Sequence, residues 1–290
     1  MSDSLPNTGL PFEEAIAELR DALASRRHSV LIAPPGAGKT TLVPLRLFHE
    51  NWVAGRKIVM LEPRRLAARA AAQRMAHMLG EKVGDTVGYQ TRDERKIGAN
   101  TRIEVLTEGI LTRRLQNDPT LEGTALVIFD EVHERNVPTD LGLAFLLDAI
   151  KTFSTDVKIL AMSATAQTQL FAHVLADDRG DAPIITSEGR TFPIDVRYVP
   201  RQRNDRLENA ITDVVLGALN TDDGDILVFL PGIGEINRAQ TLLKERVAGN
   251  VDVLRLAGAL PFSEQDAALN ASGLGRRRVV LSTDIAETSL

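Results

Sequence analysis

The sequence has no cysteine, few aromatic residues and no long apolar run. Without cysteine among its 290 residues the chain has no disulfide framework and no thiolate ligands for a metal, which favours an intracellular, cytoplasmic location. No run of apolar residues approaches the roughly 20 that span a bilayer, so we expect no membrane segment. Only 4% of the residues are aromatic, so platforms on which nucleic-acid bases could stack are scarce. The formal net charge of −5 excludes a global attraction to nucleic acid, and any such binding must come from local basic patches.

The length of the chain indicates two domains. A chain of 290 residues is long for one domain and suits two of ordinary size. The start of the chain is polar, with no basic start and no apolar core, so we expect a flexible N-terminus over residues 1–12 and no secretory signal. A polar break at residues 173–187 predicts that a first domain covers residues 13–180 and a second one residues 190–290.

Apolar runs that alternate with helical segments predict an α/β fold with a mostly parallel sheet in each domain. Runs such as Ala-Leu-Val-Ile-Phe are continuously apolar, as in parallel strands that helices cover on both faces. After an amphipathic helix at residues 13–25, the expected strands of the first domain are residues 28–33, 57–61, 101–106, 125–129 and 157–161. In the second domain we expect strands at residues 192–199, 226–230, 251–256 and 278–281, and helices at residues 205–219, 234–247 and 263–271.

The sequence Ala-Pro-Pro-Gly-Ala-Gly-Lys-Thr at residues 33–40 is typical of a phosphate-binding loop. Its glycines let successive backbone N–H groups point at a phosphate, its lysine reaches the β and γ oxygens of ATP, and its threonine hydroxyl binds Mg²⁺. The partial positive charge of a helix that begins at Lys39 adds to this anion site. A Gly/Pro turn before a surface helix would explain the glycines, but it would not require Lys-Thr directly after them. The residues predicted to bind the nucleotide in this loop are Pro35, Gly36, Ala37, Gly38, Lys39 and Thr40.

A second motif, Asp130-Glu131-Val132-His133, follows the apolar run at residues 125–129 and is typical of a Walker B segment. Asp130 can hold the Mg²⁺ shell, while Glu131 can orient and deprotonate the attacking water. An Asp-Glu pair after a strand is often only a surface turn, and His133 alone could be a structural histidine. Together with the upstream loop, however, the pair predicts a metal site at Thr40, Asp130 and Glu131.

Two further segments leave alternatives open. Arg64 and Arg65 concentrate positive charge at the end of the predicted strand at residues 57–61, where ligands bind in open α/β sheets, but a solvated basic helix face would look the same. Ser163-Ala164-Thr165 could cap a helix, or could relay the state of the γ-phosphate to a domain movement, and spacing alone favours neither. The run Arg276-Arg277-Arg278 precedes a strand and is interpreted as solvated.

In this order the segments resemble the conserved motifs of superfamily 2 helicases, specifically the DEAH/RHA group of ATP-dependent RNA helicases. The similar segments are residues 33–40 (motif I), 62–68 (Ia), 107–111 (Ib), 130–133 (II), 163–165 (III), 227–236 (IV) and 282–290 (start of V). Residues 61–65 and 187–193 look most like the bacterial HrpB-type branch. Val132 stands where the group's name has Ala, and Ala33 where motif I begins with Gly. No counterpart of motif VI occurs, so the chain looks like an N-terminal fragment of such a helicase with an incomplete second domain.

The resemblance implies two RecA-like domains that bind ATP and Mg²⁺ between them, with single-stranded RNA across both. It implies a catalytic set of Asp130, Glu131, His133, Ser163 and Thr165. Arg74 resembles the arginine that stacks on the base of the nucleotide. The residues expected at the nucleic-acid backbone, with little sequence preference, are Arg64, Arg65, Thr107 and Thr283.

The leading hypothesis is ATP-dependent unwinding or remodelling of RNA, with a 3′-to-5′ polarity that rests on the resemblance alone and with weak turnover by this chain. A second hypothesis is an ATP-gated module that clamps nucleic acid and does not unwind it. A DNA translocase is a third, because readers of the 2′-hydroxyl cannot be identified in these motifs. The ATPase rate with and without RNA or DNA discriminates among them.

Overall fold

The computed structural model of the chain describes residue 9 and residues 11–165, 168–189, 193–202, 204–270 and 273–287. The chain divides into a first unit at residues 1–192 and a second unit at residues 193–290. Most of the N-terminus that was expected to be flexible lies outside the described residues. So do residues 190–192 of the HrpB-like segment and residues 288–290 of the segment similar to motif V.

The first unit is organised around a sheet of eight strands in the part of the chain that is described. The strands are β1 (His28–Ile32), β2 (Lys57–Leu61), β3 (Val87–Gln90), β4 (Arg95–Lys96), β5 (Ile103–Leu106), β6 (Thr124–Phe129), β7 (Lys158–Ser163) and β8 (Ile184–Thr186). Their order across the sheet is β4-β3-β5-β2-β6-β7-β1-β8. Neighbouring strands are parallel except β3 and β4, which form an antiparallel pair.

Helices cover both faces of this sheet. They are α1 (Ile16–Ser25), α2 (Lys39–Leu47), α3 (Arg65–Met78), α4 (Ile110–Asn117), α5 (Val137–Phe153) and α6 (Gln169–Val174). Apolar side chains of α1, α2 and α3 pack with Met60 and Ile128 on one face, whereas those of α4, α5 and α6 pack with Leu61 and Phe129 on the other. Because successive residues of a strand point to opposite faces, both sets must be apolar, which explains the unbroken apolar runs.

The second unit contains the parallel strands β9 (Ile226–Phe229), β10 (Val251–Leu256) and β11 (Arg277–Ser282), in the order β10-β11-β9. Its helices in the described range are α7 (Leu207–Thr221), α8 (Ile233–Arg246) and α9 (Phe262–Leu269). Val215, Ile236, Leu243 and Leu281 belong to its apolar core. The α/β class and the mostly parallel sheets that the sequence predicts are therefore confirmed. No helix within the described residues has the length and apolar character needed to cross a membrane.

Three expectations differ from the structure: the strand at residues 192–199, the end of the first domain and the solvated arginine run at residues 276–278. The strand expected at residues 192–199 is wrong, because residues 193–202 form no strand and Ile194 and Tyr198 are 85% and 91% exposed. The apolar alternation there fits an edge strand, but a strand also needs a neighbour that accepts its backbone hydrogen bonds. The first domain was expected to end at residue 180, whereas β8 pairs with β1 and the first unit continues to residue 192.

The arginine run at residues 276–278, whose last two residues begin β11, is not simply solvated. Arg276 pairs with Asp252, and Arg278 pairs with Asp225 at 2.6 Å. Arg277 donates to the carbonyl oxygens of Leu219 at 2.8 Å and Gly224 at 2.7 Å. These contacts tie the start of β11 to neighbouring segments of the second unit, so the run has a structural role.

Candidate nucleotide-binding site

The loop between β1 and α2 has the backbone conformation that its glycines permit. Gly36 and Gly38 have φ angles of +77° and +89°, a region in which a residue with a Cβ is strained. The N–H of Ala37 donates to the carbonyl oxygen of Pro34 at 3.2 Å, which closes the turn before α2 begins at Lys39. Ala33 replaces the first glycine of the motif and is fully buried in the core. Its φ angle is not positive, so its Cβ causes no backbone strain at this position.

Lys39 and Thr40 at the start of α2 contact the two carboxylates that follow β6. The Lys39 ammonium is 5% exposed and lies 2.6 Å from Oε1 of Glu131. The Thr40 hydroxyl donates to Oδ2 of Asp130 at 2.7 Å. The folded chain thus brings residues 90 or more positions apart in sequence into one hydrogen-bonded cluster.

The turn after β6 directs the two carboxylates to different partners. Glu131 has a φ of +52°, which is uncommon for a residue with a side chain, and its N–H donates to Oδ1 of Asp130 at 2.9 Å. Strained residues of this kind cluster at functional sites and are held there by surrounding contacts. Here the contacts are the Thr40 hydroxyl on Asp130 and the Lys39 ammonium on Glu131.

Burial perturbs the charges of this cluster. Burial raises the pKa of Asp130 to about 6, against the opposing influence of the nearby Lys39 ammonium. Burial alone would lower the pKa of Lys39, but the carboxylates of Asp130 and Glu131 outweigh it and raise that pKa. The lysine therefore stays charged at neutral pH, as a phosphate ligand must.

His133 connects the cluster to the end of β7. Its Nδ1 accepts a hydrogen bond from the N–H of Ala164 at 3.3 Å and lies 3.3 Å from Oε2 of Glu131. The hydroxyl of Ser163, which is 1% exposed, accepts from the N–H of Thr165 at 3.1 Å. These hydroxyl bonds stay within residues 163–165, while α6 begins later, at Gln169, so the helix-cap interpretation of this segment finds no support.

The residues expected at the nucleic-acid backbone are more dispersed. A guanidinium nitrogen of Arg64 lies 3.2 Å from a carboxylate oxygen of Glu134, which belongs to the short helix Val132–Glu134. Arg65 pairs with Asp93. Thr107 is 9% exposed and its backbone oxygen accepts from the N–H of Ile110, as in a helix cap.

The remaining two predicted residues lie on other elements of the chain. Thr283 belongs to the second unit, where its N–H donates to Leu256 at 3.3 Å. Arg74 is exposed on α3, nine residues after the helix begins at Arg65 and thus roughly 14 Å along its axis.

The structure adds two residues that motif reading did not identify. Glu62, directly after β2, is 3% exposed, and its burial, reinforced by the charges of Asp130 and Glu131, raises the pKa of its carboxyl well above the usual range. Gly189 lies against the phosphate-binding loop, where a Cβ would come within 2.1 Å of Cγ of Pro34. Glu62 lies in the segment similar to motif Ia and Gly189 in the HrpB-like segment, but their residue types alone do not indicate a place at the nucleotide site, so spatial proximity was the missing signal.

The donors present suit a small hard cation. Mg²⁺ prefers oxygen ligands and keeps several waters, and the Thr40 hydroxyl and Asp130 carboxylate are such ligands, 2.7 Å apart. The described residues contain no group of three or more His, Asp or Glu side chains that could hold a metal by themselves. A cation here would therefore depend on phosphate oxygens as well as on Thr40 and Asp130.

Comparisons with known proteins identify the family of the chain. Residues 13–172 match the family model described as DEAD/DEAH box helicase. The chain is 46% identical over 283 residues to the ATP-dependent RNA helicase HrpB of Escherichia coli, a match that covers 98% of this chain and 34% of that protein. It is 34% identical over 288 residues to an ATP-dependent RNA helicase HrpA homolog of Haemophilus influenzae, covering 97% of this chain and 21% of the relative.

Solved structures show the same likeness. The crystal structure of the Escherichia coli DEAH/RHA helicase HrpB matches with a TM-score of 0.87 and 45% identity, over 97% of this chain and 35% of that one. A crystal structure of the Escherichia coli DExH-box NTPase HrpB matches with a TM-score of 0.76 and 44% identity, over 99% and 35%. The likeness confirms the RecA-like α/β fold, and the chain spans about a third of the length of these relatives. The motif residues gathered around Lys39 and Asp130, together with these matches, show that the chain belongs to the DEAD/DEAH box helicase family.

Proposed function

We propose that the chain is the nucleotide-binding part of an ATP-dependent RNA helicase and that its first unit binds and hydrolyses ATP. The observation that carries the proposal is the cluster of Lys39, Thr40, Asp130 and Glu131. Lys39 contacts Glu131, Thr40 contacts Asp130, and the backbone N–H of Glu131 joins the two pairs by donating to Asp130. The relatives reported above are named ATP-dependent RNA helicases, which supports RNA as the polymer.

ATP binding would rearrange the contacts of Lys39. In the structure its ammonium neutralises Glu131 at 2.6 Å. A triphosphate carries more negative charge than one carboxylate, and the loop N–H groups around Gly36 and Gly38 add to its attraction. Transfer of Lys39 from Glu131 to the phosphates would leave the Glu131 carboxylate free to orient the attacking water and to accept its proton.

Mg²⁺, held by Thr40, Asp130 and phosphate oxygens, would neutralise charge on the transferred phosphoryl group. The chain's own contribution is to fix these ligands: the Thr40 hydroxyl sits on the first turn of α2, and Asp130 continues the β2–β6 ladder through its N–H to Leu61 at 3.0 Å. Elements of regular structure therefore position both oxygen donors. Arg74 would contact the base of the nucleotide.

The segment at residues 163–165 would report the state of the nucleotide. His133 contacts both Glu131 and the N–H of Ala164, so a change at Glu131 reaches the end of β7 through one side chain. Ser163 and Thr165 continue this path by their mutual hydrogen bonds. A coupling of hydrolysis to movement along RNA would use this connection.

RNA would bind through its backbone. Arg64 and Arg65 are 29% and 56% exposed and each already pairs with a carboxylate, so phosphates would compete with Glu134 and Asp93 for them. Thr107 in the first unit and Thr283 in the second would add polar contacts. Backbone contacts read no base sequence, and DNA remains an outcome to be tested against RNA.

Turnover by these 290 residues alone should be slow. They contain no counterpart of the arginines of motif VI, and arginine fingers contribute roughly 10³ to 10⁵ in rate in NTPases that use them. We therefore expect Mg-ATP binding, weak hydrolysis with little RNA stimulation and no strand separation by this chain.

The experiment compares ATP hydrolysis and strand displacement by this chain and by the full-length protein, each with single-stranded RNA, single-stranded DNA or no polymer. RNA-stimulated hydrolysis and displacement by the longer protein alone would support the whole proposal. Robust displacement by the 290-residue chain would contradict the expected slow turnover. ATP-dependent RNA binding without displacement by either would show a clamp in place of a helicase, and preference for DNA would show a DNA translocase.

A further inference from the structure

Glu62 is a buried acid for which the proposed mechanism has no role. Its residue is 3% exposed, and the charges that act on its carboxyl group include those of Lys39, Asp130 and Glu131. A buried carboxylate is costly, so such a residue persists where it has a function or where something else neutralises it.

The register of the sheet places Glu62 beside Asp130. The strands β2 and β6 are parallel and pair Leu61 with Phe129, so the next position on each strand brings Glu62 next to Asp130. The N–H of Asp130 continues this ladder by donating to the carbonyl oxygen of Leu61 at 3.0 Å. Glu62 is thereby fixed by backbone pairing and not by a flexible loop.

Alternation along both strands points the two acids to the same side. Met60 and Ile128 pack on the face covered by α2, whereas Leu61 and Phe129 pack on the opposite face. Glu62 and Asp130 come one residue later and so return to the face of α2. Asp130 does contact Thr40 of that helix, and Glu62 lies next to it on the neighbouring strand.

Carboxyl groups outnumber ammonium and guanidinium groups in this part of the first unit. Glu62, Asp130 and Glu131 surround one buried ammonium, that of Lys39, while Arg64 nearby is paired with Glu134. Addition of ATP without a metal would bring more negative charge to the same place. A divalent cation at Thr40 and Asp130 would offset it, and Glu62 stands just beyond these two ligands.

We propose that Glu62 is a positioning residue for the Mg²⁺ that enters with the nucleotide, by accepting hydrogen bonds from water molecules in the ion's shell. Mg²⁺ dehydrates reluctantly and keeps several waters, so acceptors beyond the direct ligands orient it. Such outer partners typically change metal affinity by about 10- to 100-fold when they are removed. The inference rests on the proposed nucleotide site and deepens it.

The test is Glu62→Gln, which keeps the size of the side chain and removes its charge. Affinity for a fluorescent ATP analogue is measured by titration with Mg²⁺ and, separately, with EDTA. We expect the enhancement of affinity by Mg²⁺ to fall about tenfold in the variant, as for loss of an outer-shell partner. Without metal, affinity should be unchanged or higher, because a repulsive carboxylate has been removed. Glu62→Asp keeps the charge and should recover part of the Mg²⁺ enhancement.

Glu104→Gln is the matched control. Glu104 is a carboxylate on β5, 2% exposed, that pairs with Lys57 and Arg114 at 2.6 Å each. Its loss should lower the melting temperature and leave the Mg²⁺ enhancement at the wild-type value.

Two results would overturn the inference alone, provided that the wild-type chain binds the analogue with Mg²⁺. One is an unchanged Mg²⁺ enhancement in Glu62→Gln, and the other is an equal loss of affinity with Mg²⁺ and with EDTA, which is the signature of a merely structural role. If Glu62→Gln does not fold, Glu62→Asp decides, since a Mg²⁺ enhancement equal to that of wild type would contradict a role set by carboxylate position. Failure of the wild-type chain to bind the analogue would overturn the proposed function itself.

Discussion

The two units use the same strand and helix pattern but differ in what they bury. In the first unit all six residues of β6 are buried, whereas in β9 of the second unit half-buried and exposed positions alternate, and Leu227 and Phe229 are 40% and 53% exposed. The first unit also buries charged side chains, among them Lys39, Glu62 and Asp130. Among the described residues of the second unit, the buried polar side chains are the uncharged Thr212, Gln265 and Ser282.

This contrast supports the proposal that the first unit carries the chemistry. Burying charge is expensive, so a domain retains buried charges where they pair or where they serve a ligand. The carboxyl ends of β1, β6 and β7 carry the charged cluster in the first unit. At the end of β11 in the second unit, Thr283 makes a backbone hydrogen bond to Leu256. The first unit thus holds the buried charges on which the proposed ATP hydrolysis depends, whereas the described residues of the second unit bury only uncharged polar side chains.

The largest expected effect concerns the catalytic base in the first unit. Glu131→Gln should retain nucleotide binding and lose hydrolysis by about 10² to 10⁴, because the amide cannot accept the proton of the attacking water. Steady-state ATPase and nucleotide titration measure the two quantities. Asp140→Asn, which removes the partner of Arg135 at a more exposed position nearby, is the control and should hydrolyse ATP at the wild-type rate. Equal loss of binding and hydrolysis in Glu131→Gln would contradict the assigned role.

Substitution of one phenylalanine in each unit allows the cores of the two units to be compared directly. Phe129 ends β6 and is fully buried, while Phe229 ends β9 and is 53% exposed. Phe129→Ala should reduce the free energy of unfolding by about 3 to 5 kcal/mol through loss of burial and the cavity left behind. Phe229→Ala should cost less than about 1 kcal/mol, because half of the side chain is already in water. Urea denaturation of both variants tests this, and similar costs would remove the contrast between the sheets.

A buried histidine makes the stability of the first unit depend on pH. His28 is 4% exposed, its Nδ1 accepts from the N–H of Ile159 at 3.1 Å, and burial lowers its pKa from 6.5 to about 4. Between these values the unfolded chain binds more protons than the folded one, so stability is present above pH 6.5 and is lost as the pH falls towards 4. The loss from this group should be about 2 kcal/mol between pH 7 and pH 5.

His28→Gln isolates the effect of this group. The glutamine oxygen can still accept from Ile159 but does not titrate, so the variant should lose less stability than wild type between pH 7 and pH 5. Thermal unfolding of both proteins at the two pH values gives the difference. Identical pH dependence would mean that His28 is accessible to protons in the folded chain.

A pair of glycines, one in each unit, should give effects of opposite sign. A Cβ at Gly189 would lie 2.1 Å from Cγ of Pro34, whereas a Cβ at Gly217 in α7 would meet nothing within 4 Å. Gly189→Ala should destabilise the first unit by about 1 to 3 kcal/mol through overpacking and weaken nucleotide binding, since Pro34 belongs to the phosphate-binding loop. Gly217→Ala should stabilise the second unit by up to about 1 kcal/mol as a better helix former. Thermal unfolding and nucleotide titration of both variants measure these effects. If Gly189 does not pack on the loop, Gly189→Ala would neither destabilise the first unit nor weaken nucleotide binding.

The sequence predicted the elements whose patterns are local. The strands β2 and β10 begin and end at the predicted residues. In β2 an unbroken apolar run follows Lys57, and in β10 valines and leucines predominate, with charged residues only at Asp252 and Arg255. Strands β3, β4 and β8 were not predicted, since they have four, two and three residues and no period that can be read over so short a length.

The candidate site shows the same limit. Lys39, Thr40, Asp130 and Glu131 could be identified from the residue types and spacing of their motifs, and the structure brings them together. The burial of Glu62 beside Asp130 depends on the register of β2 with β6, and the contact of Gly189 with Pro34 depends on the pairing of β8 with β1. Such long-range pairings are not encoded in any local pattern, so the sequence alone could not predict them.

The central claim, that the first unit contains an assembled nucleotide site built on Lys39, is tested most directly by titrating Mg-ATP into the wild-type chain and into Lys39→Ala. Lys96→Ala, whose side chain is 50% exposed on β4, is the control. Calorimetry should show binding by the wild-type chain and by Lys96→Ala, and none by Lys39→Ala, because the ammonium that contacts the phosphates is lost while the fold is kept. Wild-type affinity in a folded Lys39→Ala variant would contradict the account.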